Sequence, residues 1–248
     1  MTGTPKTDGL PCVTTATGTY RGMQQGTVQV FRGIRYALPP TGGLRFSLPV
    51  PVQRTPGVLD ASAFSPVAPQ SGLLRRFSGG DCLSLNIWRR ADAGPRTPVL
   101  FYVHGGMFTR GSGREPLFDG RRLARDWNII VVTINYRLGM LGFVDFSCLN
   151  DGWVANPGLH DVVCALRWVH DNIAAFGGDP DTITAAGESA GGSLVSLLPV
   201  LEDAGPLLSR MVMMSGIPTG LLPEAVEQQM VHDFLDEHHM SCAEDLLR

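Results

Sequence analysis

The stretch Ile183-Thr184-Ala185-Ala186-Gly187-Glu188-Ser189-Ala190-Gly191-Gly192-Ser193-Leu194-Val195 decides the reading of this chain. It passes from a β-favouring apolar run into a turn with glycine on both sides of a serine, and then into an apolar helix. Gly187-Glu188-Ser189-Ala190-Gly191 fits G-x-S-x-G, a pattern that recurs by chance; its value here lies in the strand–turn–helix setting. A turn this tight leaves no room for a Cβ at the flanking glycines and lifts the serine oxygen above the sheet. The helix N-terminus beneath favours developing negative charge. The plainer alternative is an ordinary strand-to-helix turn with an incidental serine.

Working outward, the same texture continues on both sides. Val99–Val103 is a continuous apolar run ending in Gly105-Gly106, and Ile129–Ile134 is a second run of buried-strand type. Between them Phe118–Trp127 reads as a short helix. Asp161–Phe176 reads as a longer one, with Val162, Leu166, Val169 and Ile173 at helical spacing and Gly177-Gly178 as its stop. Met211–Met214 supplies a fourth strand. Strands alternating with helices through short loops predict an α/β fold, a mostly parallel sheet with helices on both faces. Ahead of these, residues to about Gln70 are rich in Gly, Pro, Thr and Val, and Gly26–Phe31 suits short antiparallel strands. Leu83–Trp88 is one more strand, and Pro223–Arg248 one or two polar helices.

The bulk numbers are compatible with one domain, residues 1–248. Apolar residues make up 44% of 248, and the net charge of −3 comes with no long basic run, which argues against nucleic acid or a polybasic membrane surface. The longest apolar stretch, Val195–Leu201, is broken by Ser196 and Pro199 and is too short to span a bilayer. Met1–Gly9 has no apolar core of the secretory kind. Cys12, Cys82, Cys148, Cys164 and Cys242 form no C-x-x-C pair, so neither a zinc site nor a disulfide framework is expected, and a cytoplasmic setting is. The oligomeric state is open.

At the end of the Val99–Val103 run, His104-Gly105-Gly106-Met107-Phe108 is a glycine-rich loop able to aim backbone N–H groups at an oxyanion, together with the N–H of Ala190. Alone it is only a strand-ending turn; beside the serine turn it becomes a candidate oxyanion hole. His104 is read as structural.

Phe31-Arg32-Gly33-Ile34, Leu44-Arg45-Phe46, Asp81-Cys82-Leu83 with Leu85-Asn86-Ile87-Trp88, His104-Gly105-Gly106, Asn135-Tyr136-Arg137-Leu138-Gly139, Asn156-Pro157-Gly158-Leu159 and Gly177-Gly178-Asp179-Pro180 stand in this order before the Ser189 turn, and Ser215-Gly216 follows it. In these segments the chain resembles the N-terminal half of the type-B carboxylesterases. The resemblance implies the α/β-hydrolase fold and a carboxylic ester hydrolase working through a serine acyl-enzyme, with no cofactor and a small-molecule ester as substrate. It places the nucleophile on Ser189 and the oxyanion donors on the N–H groups of Gly106, Met107 and Ala190.

The departures from the family pattern are specific. Met107 replaces a loop glycine, so a side chain is expected to crowd the acyl site. Arg35 stands where proline is usual. Cys82 lacks its upstream partner, which falls near Ala68. Gly80 removes the acid expected to pair with Arg45. The family's triad acid and histidine lie beyond the last strand present, so the fold is expected to stop before its final strands. Asp233, Glu237, His232, His238 and His239 offer substitutes on paper, but a solvated helix face is the expected reading. Glu188 is expected to be a buried structural carboxylate. Besides the esterase, the residues leave open an inactive remnant or interaction module on the same scaffold, and a peptidase or acyltransferase.

Overall fold

The computed structural model describes residues 9–217, 223–240 and 242–247. The strands begin with β1 (Cys12–Thr14), β2 (Thr19–Arg21), β3 (Met23–Gln25), β4 (Val28–Arg35) and β5 (Val58–Asp60). They continue with β6 (Ser84–Arg90), β7 (Thr97–Val103), β8 (Ile130–Ile134), β9 (Gly178–Glu188) and β10 (Arg210–Met214). The α-helices are α1 (Arg121–Trp127), α2 (Met140–Phe143), α3 (Pro157–Asn172), α4 (Ala190–Leu197) and α5 (Glu224–Glu237).

Seven strands form one sheet in the order β10-β9-β7-β8-β6-β4-β3, and β1-β2-β5 form a separate small one. The expected parallel sheet is present from β7 onward: β7 pairs in parallel with β8 and β9, and β9 with β10. The antiparallel strands read in the N-terminal region do not stand apart, because β3, β4 and β6 extend the same sheet on the other side of β8. The sheet is therefore mixed. β8 lies at its middle with all five residues buried, as a continuous Ile-Val-Val-Thr-Ile run requires.

One face packs Val99, Phe101, Ile183 and Ala185 against Val162, Leu166 and Val169 of α3 and Leu194 and Val195 of α4. On the other face α1 covers Val28, Val30, Trp88 and Val131 through Ala124. Further along, Leu100, Tyr102, Ala186 and Met214 line an open groove of about 460 Å³ together with Leu117 and Leu123. A third cluster joins Phe46, Phe146 and Trp153 to Val231 and Leu235 of α5.

Two element bounds differ from the sequence reading for local reasons. The helix expected over Asp161–Phe176 starts earlier, at Pro157, where proline's fixed φ suits a first turn and its missing N–H costs nothing. Its last turn, Ile173–Phe176, tightens to 3₁₀ and ends at Gly177 with φ 82°. The stretch Phe118–Trp127 is split: Pro116–Phe118 is 3₁₀, Asp119 is extended, and its carboxylate accepts the N–H of Arg121 to start α1.

A buried ion pair fixes α3 to the sheet. Arg137 donates through Nε and Nη2 to Asp161 at 2.8 and 2.7 Å, with side chains 1% and 0% exposed. The same guanidinium donates to the carbonyls of Arg45, Ser47 and Pro157. Arg35 pairs with Asp81, and Arg45, lacking its acid, donates to the carbonyl of Leu246.

Candidate active site

Ser189 sits between β9 and α4 with φ 53° and ψ −124°, a conformation costly for a residue with a Cβ and held only where its surroundings dictate it. Those surroundings are on hand. A Cβ on Gly191 would collide with the carbonyl of Val103, so the first turn of α4 lies directly on the end of β7. The N–H of Ser189 donates to Met214 O at 2.8 Å. Gly187, the last buried residue of β9, is paired with both Val103 and Met213.

The His104–Phe108 loop meets this turn. A Cβ on Gly105 would stand 2.6 Å from Glu188 O and 3.2 Å from the Ser189 Cβ. Gly106 has φ 111° and a Cβ there would strike the carbonyl of Arg110. Met107 and Phe108 continue at φ 57° and 60°, the left-handed region. The N–H groups of Gly106 and Met107 donate to no described residue, and neither does that of Ala190 at the start of α4. The Ala190 N–H thus follows the serine directly, and those of Gly106 and Met107 belong to the loop that meets its turn.

Side chains from inside and outside the motifs hold the loop. The Gln70 amide clamps Gly111, accepting its N–H and donating to its carbonyl, both at 2.9 Å. Ser112 Oγ and the N–H of Gly113 both reach Asn135 Oδ1. His104 is buried and stacked on Tyr136, with ring centroids 4.4 Å apart, and the Tyr136 hydroxyl donates to His104 O at 2.7 Å. Burial pushes the His104 imidazole down to about 4, so it is neutral at pH 7. Its Nδ1 then carries the proton and donates to Gly105 O at 2.8 Å, while Nε2 is left buried and without a partner. Because a trans peptide sets C=O and N–H in opposite directions, fixing the Gly105 carbonyl also fixes the aim of the Gly106 N–H.

Other candidates stand elsewhere. His232, Asp233, Glu237, His238 and His239 are all exposed on or just after α5, whose buried residues are Val231 and Leu235. Glu188 corrects the expectation of a buried carboxylate: it is exposed, because the side of β9 from which it projects faces the open groove. Met107, expected to crowd the acyl site, is 71% exposed at the tip of the loop. A cavity of about 350 Å³ opens beside the loop, lined by Leu74, Gly105, Gly106, Arg110, Glu115 and Glu188. Ser189 Oγ hydrogen-bonds to no described residue. Among the described residues no cluster of His, Cys, Asp and Glu could hold a metal, and no helix is long and apolar enough to cross a membrane. All five cysteines are free, with Cys82 buried and its thiol pushed up to about 12.

A mixed sheet with a serine at a strained strand-to-helix turn defines an α/β-hydrolase fold, and solved structures agree. The chain superposes on the carboxylesterase EST55 of Geobacillus stearothermophilus with a TM-score of 0.89 and 40% identity, covering 95% of this chain and 50% of that one. The profile of the carboxylesterase family matches residues 10–238, and the chain belongs to that family. It is 38% identical to the para-nitrobenzyl esterase of Bacillus subtilis, over 95% of this chain and 52% of the relative. With mouse cholinesterase it shares 39% identity, over 82% of this chain and 36% of the relative. The chain thus spans about half the length, or less, of the curated relatives it matches.

Proposed function

We propose that this chain carries the nucleophile and oxyanion hole of a serine carboxylic ester hydrolase. The observation that carries the reading is the strained Ser189 turn, met by the loop whose Gly106 and Met107 N–H groups, like that of Ala190, have no described acceptor. In the proposed reaction Ser189 Oγ attacks the ester carbonyl, and its proton passes to a general base. The oxyanion of the tetrahedral intermediate accepts from the three N–H groups, the alcohol leaves, and water releases the acid from the acyl-enzyme. The described residues place no base on Ser189 Oγ. His104 is unsuited, being neutral with its Nδ1 proton committed to Gly105 O. The base and its orienting acid are proposed to come from a further segment that closes over the groove beside β10. The free thiols favour a reducing, cytoplasmic setting.

A second reading, a non-catalytic module on the same scaffold, is favoured by the open apolar groove. A fluorophosphonate probe with peptide mapping separates the two. The esterase reading expects modification of Ser189 and of no other serine, and negligible turnover of p-nitrophenyl acetate by the 248-residue chain. Turnover is expected to appear when a segment supplying an acid and a histidine is added. A label on a different serine removes the assignment.

A further inference from the structure

Three arginines from distant parts of the chain meet on one surface, interleaved with two phenylalanines. Arg32 lies over the Phe64 ring at 4.4 Å, and Arg114 lies 5.3 Å from Phe64 and 4.1 Å from Phe77. Arg76 lies over Phe77 at 4.6 Å. The result is a row: Arg32, Phe64, Arg114, Phe77, Arg76. Its members are anchored by backbone hydrogen bonds, Arg32 N–H to Ala61 O, Arg114 N–H to Ser112 Oγ and Val67 N–H to Phe77 O. Phe64 rests on the buried cluster around Trp88 and Val131, which makes the floor rigid.

The row is unusual in its charge balance. Arg35, Arg90, Arg121, Arg137 and Arg167 each face an aspartate. Arg32, Arg76 and Arg114 form no ion pair with a described residue, and none of their side-chain N–H groups donates to one. Arg32 Nε is moreover buried without a partner. Asp119, the carboxylate that acts on Arg32, is already engaged by Arg121. Burial pulls the Arg32 and Arg114 guanidinium groups below their ordinary range; Asp119 opposes this at Arg32, and the like charge of neighbouring arginines adds to it at both. Three cations are therefore held together at a cost, stacked by their faces, with their donor edges unused.

We propose that Arg32, Arg76 and Arg114 form a binding site for a small polyanion carrying two or more phosphoryl or carboxylate groups. Stacking on an aromatic ring occupies the face of a guanidinium and leaves its edge for a two-point grip on an oxyanion. A single small anion cannot reach along a row of three cations spaced by rings, so the ligand must carry more than one charged group. The overall charge of −3 and the half-buried setting of Arg32 and Arg114 favour a compact ligand over a nucleic acid.

The test is calorimetric titration of the 248-residue chain at low salt with inorganic pyrophosphate and, separately, with citrate. Saturable binding of either supports the site, and which one binds distinguishes phosphoryl from carboxylate groups. Arg114→Gln and Arg32→Gln are each expected to weaken it by about tenfold or more, the loss of a charge-assisted bond. Arg167→Gln, paired with Asp203 elsewhere, should leave it unchanged, and added salt should weaken it. Should either inner variant fold poorly by circular dichroism, Arg76→Gln, at the exposed end of the row, carries the same expectation. Absence of saturable binding by both anions, or equal binding by the variants and the parent chain, overturns the proposal and leaves the row as stacking alone.

Discussion

The N–H of Ser189 donates to the carbonyl of Met214 at 2.8 Å, which ties the nucleophile's turn to the outermost strand of the sheet. β10 touches only β9 among the described strands, and all five of its residues are exposed. The geometry of the serine thus depends on an element with little support of its own.

Val212→Pro should expose that dependence. Proline has no N–H to give to the β9 ladder, so the β10–β9 pairing should open. Labelling of Ser189 by a fluorophosphonate is expected to slow steeply, although no atom of the site changes. Labelling at the parent rate would show that the Met214 tie is dispensable.

Asp161→Asn is expected to cost about 3–5 kcal/mol in urea unfolding, because the Arg137 charge stays buried without its counter-ion. A loss under about 1 kcal/mol would mean that the carbonyls of Arg45, Ser47 and Pro157 satisfy the guanidinium alone.

His104 should give stability a pH dependence of definite sign. Its folded value of about 4 lies below the unfolded 6.5, so between them the unfolded chain binds a proton that the native chain refuses. Stability from this source is whole above pH 6.5 and falls as pH drops toward 4, by roughly 3 kcal/mol at the lower end. The carboxylates titrate in the same window, so the informative quantity is the difference between the parent and His104→Gln. That difference should change with pH over this window; a constant difference would contradict a neutral buried imidazole.

Met107→Gly should leave stability within about 1 kcal/mol of the parent, since relief of the left-handed side chain offsets glycine's extra freedom when unfolded. On the proposed function it should also quicken labelling by bulky phosphonates relative to small ones, each misfitted group being worth about 1–3 kcal/mol. An unchanged ratio would show that the Met107 side chain stands clear of the acyl group.

What the sequence made legible was what local pattern controls. β8 announces itself as an unbroken β-branched run, α3 by the spacing of Val162, Leu166 and Val169, and the turn at Ser189 by its glycines. What stayed hidden depended on distant neighbours. Gln70 and Gly111 are separated by 41 positions, and nothing in either segment marks a clamp. The mixed sheet depends on β6 choosing β8 as its partner, a choice no alternation pattern records. Glu188 was misread because burial is set by what covers a side chain, and the groove above it is open in the described residues.

The grip of Arg137 also has a meaning in time. Its guanidinium takes carbonyls at positions 45, 47 and 157 and a carboxylate at 161, so segments more than a hundred residues apart along the chain receive their final places together. A chain emerging from the ribosome must hold the carbonyls of Arg45 and Ser47 unfastened until Arg137 has been made, and Arg137 without its counter-ion until Asp161 follows. Closing so long a span is slow, and the early strands spend that interval with bare edges. The vulnerable period of this protein therefore falls during its synthesis, in the stretch between the appearance of Arg45 and that of α3.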